Sequence, residues 1–339
     1  MAAMERGYAA LARLYNAWII GLILTVVTAV GTAEAAELVF RLFRRQHREK
    51  FLPGLAKLGL AGLPDAVAAA RYHYLSNRIG GVRVEYIEES PRKAWVRYPP
   101  PRWMWQGTAL CAVPSEVSRA MLRGWHAHNG VTLGNPGLGF VCTKQTVDEQ
   151  DALEGYFQDY GRPLAPEERL RFSPGEEAPL FDPAAAPRLP EGEWSPERLA
   201  KAQRNYALEY VRSALPELYG LFGAEQAGAL AGRAAYLVGM QFCEEIKAEL
   251  GVSQGGAEGF AELFRLLAAA QGEAAEVARD GETILIRQRS WRLLPRGEAD
   301  GFQPWNRLWE GGLAAHDRRL RWSVAAREEG EIVWRLARR

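Results

Sequence analysis

Apolar positions along this chain switch between two spacings, and the switches come in the same order twice. From about Tyr8 to Lys57, and again from about Leu63 to Arg78, apolar residues recur at three- and four-residue intervals, which predicts helices, with a break allowed near Gly31. Val82–Glu88 (VRVEYIE) then alternates at period two. Ser90-Pro91-Arg92 makes a turn, and Ala94–Tyr98 (AWVRY) predicts a second strand. Ser115–Ala127 returns to helical spacing, and Gly139–Lys144 with Leu153–Gln158 predicts a closing hairpin. The second series has helices over about Pro196–Leu250 and Ala257–Gln271, and strands over Ala274–Ala278 and Thr283–Gln288. A helix over Trp305–Ala315 and a hairpin of Leu320–Ala326 with Glu331–Leu336 complete it. Each half therefore reads α-α-β-β-α-β-β, with Arg97 and Arg287 at corresponding places in the second strands.

The repetition extends to residues. Gly31–Leu60 lies over Gly223–Val252 without a gap at a displacement of 192 positions, matching Gly31 to Gly223, Ala35 to Ala227, Leu38 to Leu230 and Arg41 to Arg233. The expected architecture is α+β: two tandem domains, each a small antiparallel sheet packed on helices, together forming a pseudo-dimer. Between them, 162–194 carries seven prolines from Pro163 to Pro190 and reads as an extended linker, since proline fixes φ and removes a backbone donor. It stops at Ser195-Pro196-Glu197, an N-cap serine before a first-turn proline. The expected boundaries are 1–161 for the first repeat, 162–194 for the linker and 195–339 for the second repeat.

Composition narrows the function classes. A net charge of +1 over 339 residues offers no global field for nucleic acid. Three cysteines, an odd number with no CxxC, argue against a disulfide framework and for a reducing, cytoplasmic setting. Eleven tryptophans suit either a core or an apolar cavity. Leu14–Ala33 is uncharged, long enough to span a bilayer and followed by Arg41, Arg44, Arg45 and Arg48. Its counterpart, Tyr206–Glu225, carries Glu209, Arg212 and Glu217 and so is an amphipathic helix of a soluble fold, which favours a buried or dimer-interface helix. Membrane association through residues 14–33, or a cleaved signal, stays open.

The phrases FLPGLAKLGL, GGVRVEYIEESPRKAWVRYPP and NPGLGFVCTKQTVDEQDALEGYF, in that order, resemble the L-2-amino-thiazoline-4-carboxylic acid hydrolase-like family. That family is similar in fold to the 4-vinyl-reductase domain and to small subunits of the transport-protein-particle (TRAPP) trafficking complex. The resemblance covers about 14–160 and, more weakly, about 200–338. It implies a cysteine-dependent hydrolase of C–N bonds in a small cyclic or amidine-like substrate. Family members often carry one cysteine after the second strand and another in the closing hairpin. Here the first copy has Cys111, displaced along a Pro/Trp-rich loop, and Cys142, whereas the second copy has no cysteine at either place. The fold relatives imply an alternative, a non-catalytic module holding a hydrophobic small molecule or acyl chain.

Reactive side chains concentrate in the first copy, which holds His47, His73, His126, His128, Cys111 and Cys142. Thiol attack on a C–N bond needs a thiolate, a base and donors for the developing charge. Cys111, ahead of a helix, and Cys142 are the candidate nucleophiles, and His126 and His128 the candidate bases. Trp103, Trp105, Arg97, His73 and Asn129 are the candidate ligand contacts, with Met104 beside the tryptophans in a segment that looks exposed. Cys243 is expected in the core and His47, in an arginine-rich helix, on the surface. No metal is expected, because two histidines two apart on a helix point about 200° apart. No cofactor is expected either, since no glycine-rich loop runs from strand to helix. The expected partners are a small-molecule substrate or hydrophobic ligand, with a homodimer open and no nucleic acid.

Overall fold

The computed structural model describes all residues except 1–2, 102–103, 190–191, 193, 291–292, 294–300 and 329–330. It is mixed α+β, with small sheets packed against helices. Contacts divide the chain into a unit of residues 26–195 and a unit formed by 1–25 together with 196–339.

The 26–195 unit begins with α2 (Thr32–Lys57), which follows α1 (Ala3–Ala29) after a break at Gly31, whose φ of 151° suits glycine. Next come α3 (Asp65–Ile79), β1 (Glu85–Ser90), β2 (Lys93–Tyr98), α4 (Ser115–Gly124), α5 (Asn129–Leu133), β3 (Leu138–Lys144), β4 (Leu153–Asp159) and β5 (Leu170–Phe172). The sheet order is β1-β2-β4-β3-β5, antiparallel except for the parallel β3–β5 pair. On one sheet face Phe140 and Phe157 meet the helices. On the other, Trp95, Val141 and Tyr156 form a cluster against which Ile87 and Ala178 pack.

That second face explains the proline-rich stretch, which is not a free linker. Residues 170–172 extend the sheet. Beyond them Glu176 accepts from the Tyr156 hydroxyl (3.2 Å), Glu177 pairs with Lys144 (2.6 Å), and the Ala178 amide donates to Glu154 (3.3 Å). Proline supplies an extended strap that needs few ladder bonds of its own.

The other unit contains α6 (Pro196–Leu250), kinked at Gly223 (φ 72°), then α7 (Gly256–Gln271), β6 (Ala275–Asp280), β7 (Thr283–Gln288), α8 (Phe302–His316), β8 (Leu320–Glu328) and β9 (Glu331–Arg338). Its sheet is wholly antiparallel, in the order β6-β7-β9-β8. The first four strands of the other sheet follow the same scheme. The core is aromatic: Asn306 Oδ1 accepts from the indole nitrogens of both Trp322 and Trp334 (2.9 Å each), and Phe264 packs against Trp309, Trp322 and Trp334.

α1 belongs to this core. It is apolar and long enough to cross a membrane by length and composition, yet Leu11, Leu14, Tyr15, Trp18 and Leu22 are buried at helical spacing. The Trp18 indole donates to Ala231 O (3.3 Å), the Tyr15 hydroxyl donates to Gln271, and both rings pack on Trp305. The contact-defined units thus differ from the boundaries expected from sequence, which placed residues 1–25 with the first repeat.

α6 and α8 approach through glycines. A Cβ on Gly239 would lie 2.0 Å from Leu308 O, and one on Gly311 would lie 2.0 Å from Tyr236 O. Both obstacles are backbone, so the helices must separate to admit a methyl. We expect Gly311→Ala to cost at least about 3 kcal/mol in chemical denaturation, at the upper end for overpacked sites. A loss below about 0.5 kcal/mol, as for neutral surface changes, would show that the helices do not meet this closely.

Candidate functional site

The residues with chemistry to offer gather between the helices and the sheet of the 26–195 unit. His47 comes from α2, His73 from α3, Tyr98 from the end of β2 and Asn129 from the start of α5. α4 stops at Gly124, where a Cβ would lie 2.8 Å from Phe40 O. The chain then tightens into a 3-10 turn over His126–His128. Leaving the α-helix lets both histidines face inward: the His126 ring stacks on His73 at 4.2 Å, and the His128 ring meets His47 edge-on at 5.1 Å.

A hydrogen-bonded chain links four of these groups. His47 Nε2 donates to Asn129 Oδ1 (2.9 Å), Asn129 Nδ2 donates to His73 Nε2 (3.3 Å), and His73 Nδ1 donates to the Tyr98 oxygen (3.1 Å). This direction fixes the tautomers, because an amide oxygen only accepts and an amide nitrogen only donates. His47 carries its proton on Nε2 and His73 on Nδ1. His47 Nδ1 is then a bare acceptor, with no hydrogen-bond partner among the described residues.

Burial keeps the imidazoles neutral. His47, fully buried, is pushed down to about 3, first by burial and then by His128, against the hydrogen bond to Asn129. His73 is also pushed down to about 3, by burial and then by His47. His128, half-buried, is lowered to about 4 by burial and then by Arg44, Arg48 and Arg169. Phe51, Tyr72, Phe140, Phe157 and Trp125 supply the aromatic walls. Neutral groups of fixed tautomer can pass a proton or orient a polar ligand, and they hold no charge of their own.

The remaining predicted residues lie elsewhere. Cys142 is buried on β3 and donates its thiol to Lys144 O (3.3 Å). Burial pushes the thiol up to about 12, leaving essentially no thiolate near neutrality. Cys111 is exposed on the 3-10 turn Gly107–Ala112. Arg97 is consumed by Glu85 (3.0 Å), Asp151 (2.7 Å) and Glu154 (3.2 Å), which makes it a structural cation rather than a ligand contact. Trp105 is buried at a left-handed φ of 68°, beside a fully buried Met104, so that part of the loop is core and not an exposed cavity lining. Trp103 lies outside the described residues. Among the described residues, no group of three or more His, Cys, Asp or Glu side chains is arranged to hold a metal.

Sequence reasoning placed His47 on the surface; it is fully buried. The arginines around it masked a stripe of Val39, Phe43, Phe51 and Leu55, spaced by four, in which His47 is the middle member.

A second feature lies in the other unit, where a groove of about 780 Å³ runs along α6 and α8. Its lining includes Ala224, Gly228, Ala229 and Gly232, whose small side chains leave room, with Tyr219, Tyr236, Leu237 and Pro304 as apolar surface. Arg233 and Arg307 supply charge. Arg307 pairs with Glu310 and lies over the Tyr236 ring, whereas Arg233 has no carboxylate partner among the described residues.

Comparison with family models, with curated proteins and with solved structures finds no match to this chain.

Proposed function

We propose that the protein is a binding module for a small amphipathic molecule, an apolar body such as an acyl chain with an anionic end, held in the α6–α8 groove. The groove carries the reading. Its volume of about 780 Å³ falls in the range of about 300–1,000 Å³ usual for small-molecule sites. Its wall is aromatic and aliphatic, Leu237 and the neighbouring Met240 stay exposed at 43% each, and Arg233 offers an unanswered positive charge.

The proposal includes a tandem duplication of a domain similar to 4-vinyl-reductase and TRAPP-subunit folds. The equivalent order of β1-β2-β4-β3 and β6-β7-β9-β8 supports it, as do helix breaks at Gly31 and Gly223. It also takes the protein as cytoplasmic, with α1 a core helix; Trp18 and Tyr15 support this by their polar bonds inside the fold. The cysteine-dependent hydrolase reading has weaker support, because the Cys142 thiol is held protonated and Cys111 lies exposed on a surface turn.

Native mass spectrometry of the full chain, before and after denaturation, is the first test, and we expect a co-purifying amphipathic molecule released on unfolding. Gly228→Leu sharpens it. A Cβ there meets only the Tyr219 hydroxyl, at 3.8 Å, so leucine projects into the groove without disturbing the backbone. The variant should lose the ligand while its helix gains about 0.5–1 kcal/mol from replacing glycine. Full ligand occupancy in Gly228→Leu would exclude the groove as the site.

A further inference from the structure

The stretch of α6 that borders the groove has a counterpart in sequence on α2, and there the surface is filled. At the displacement of 192 positions, Gly232 stands where α2 carries Phe40, Tyr236 where it carries Arg44, and Leu237 where it carries Arg45. Each long helix is met by a shorter one through a glycine. A Cβ on Gly124 of α4 would lie 2.8 Å from Phe40 O and 3.3 Å from Arg44 N, and one on Gly311 of α8 would meet Tyr236 O. The two crossings thus fall within a turn of corresponding places.

What lies beside the crossings differs. On α2 the half-buried Phe40 ring has the Arg44 guanidinium over it at 5.1 Å and that of Arg123 at 5.6 Å. Arg44 is fixed there, donating from Nε to Gly124 O (2.9 Å) and from Nη2 to Arg123 O (3.0 Å). Along the same helix Arg41 pairs with Glu37 (2.6 Å) and Arg45 with Glu49 (3.1 Å). Ring and ion pairs together cover α2 beside α4. On α6, residue 232 has no side chain, Arg307 of α8 lies over the Tyr236 ring (4.8 Å), and exposed Leu237 replaces a paired arginine. Gly232 is not there for its backbone: α6 leaves helical geometry only at Gly223. Glycine inside a helix is unfavourable relative to alanine, so its use at 232 calls for a reason of space.

We propose that Gly232 opens the α6–α8 groove and decides which helix crossing binds. The apolar body of the ligand lies over Gly232, in the place that Phe40 fills on α2, and the chain carries one such site rather than two. This rests on the groove being the binding site, and adds which residue makes it one.

Gly232→Phe restores the ring, whereas Gly232→Ala restores only the helix. A Cβ at this position meets the Arg307 stem (Cγ, 3.2 Å), which can turn aside, and makes ordinary contact with Pro304 Cα (3.7 Å), so both variants should fold, as circular dichroism checks. Calorimetric titration of the full chain with dodecanoate should show a single site in wild type and in Gly232→Ala. In Gly232→Phe binding should be at least about tenfold weaker, because the new ring takes apolar contact from the ligand. Hydroxyl-radical footprinting without ligand reads the filling itself. Oxidation of Tyr219 and Tyr236, which line the groove, should fall in Gly232→Phe and stay at the wild-type level in Gly232→Ala. Undiminished binding in Gly232→Phe, where Gly228→Leu abolishes it, overturns this inference and leaves the groove reading standing. Binding that survives both substitutions, or no binding by wild type, removes the groove reading and with it any choice of ligand by Gly232. Unchanged oxidation of the two tyrosines in Gly232→Phe shows, whatever the titration gives, that Gly232 does not open the groove.

Discussion

Between pH 7 and about pH 4.5 the 26–195 unit should lose roughly 5 kcal/mol of stability, the largest effect expected from a change of conditions. The cause is the pair His47 and His73. Unfolded, each titrates near 6.5; folded, each is held down to about 3, first by burial. Between those values the unfolded state binds more protons than the folded state, so stability is full above 6.5 and is lost as pH falls toward 3. Two pH units below 6.5, each histidine accounts for about 2–3 kcal/mol. The groups facing the pair do not compensate: His47 meets His128, Asn129, Arg44 and Arg48, and His73 meets Asn129, Tyr98, His126 and His47, with no carboxylate among them.

Hydrogen exchange read by mass spectrometry separates peptides of 26–195 from the rest and so assigns the loss to this unit. His47→Leu should be less stable than wild type at neutral pH, because Asn129 loses a partner, and should show a shallower fall on acidification. Stability of this unit that stays flat from pH 6.5 to 4.5 would mean that these histidines are solvated and that the buried chain does not exist.

Much of the architecture could be read from hydrophobic spacing. β2, β3, β4 and β7 fall within a residue or so of the period-two segments, because each strand buries one or both faces and its alternation or apolar run is strong. The α4 end was less legible. Ser115–Ala127 continues the helical pattern, but close packing of Gly124 on α2 and the 3-10 turn that follows depend on a segment far away in sequence. β5 was missed for a different reason: three residues inside a proline-rich stretch carry no periodicity, and parallel pairing to β3 comes from tertiary contact.

The candidate site shows the same division. The inward-facing His73, His126, His128 and Asn129 lie close in sequence to aromatic positions that mark the core, so chemistry and burial pointed to one region. His47 was obscured by its arginine neighbours, although its helical register with Phe43 and Phe51 was readable. The thiols were over-read, because a cysteine code gives no information on whether Sγ faces solvent, a base or a backbone carbonyl. The groove left no motif, since its room comes from small residues on α6 and from where α8 is laid.

Arg97→Met should be the most damaging single substitution on the sheet, costing about 3–5 kcal/mol. Arg97 is the shared cation of three carboxylates, two of them partly solvated and one, Glu154, only 1% exposed. Burial works against the guanidinium charge, but its hydrogen bonds to Glu85 and Asp151 outweigh burial and hold the charge firmly in place. Glu154 uses its other oxygen to accept from the Thr143 hydroxyl (2.8 Å) and the Ala178 amide (3.3 Å), so one carboxylate joins β2, β3, β4 and the strap. Methionine keeps much of the arginine stem's volume and leaves buried Glu154 without its ion-pair partner. The cost is that of a stranded ion, larger than the worth of the pair itself. Adding Glu154→Gln should therefore recover part of the loss, because a neutral amide still accepts from Thr143 and Ala178 and needs no cation. Glu154→Gln alone should cost less than Arg97→Met, since Arg97 retains Glu85 and Asp151. Urea denaturation of the three variants checks the order. Losses that simply add in the double variant would show that Arg97 and Glu154 act separately, and the strap would then owe its position to the apolar contact of Ala178 with Trp95 and Tyr156.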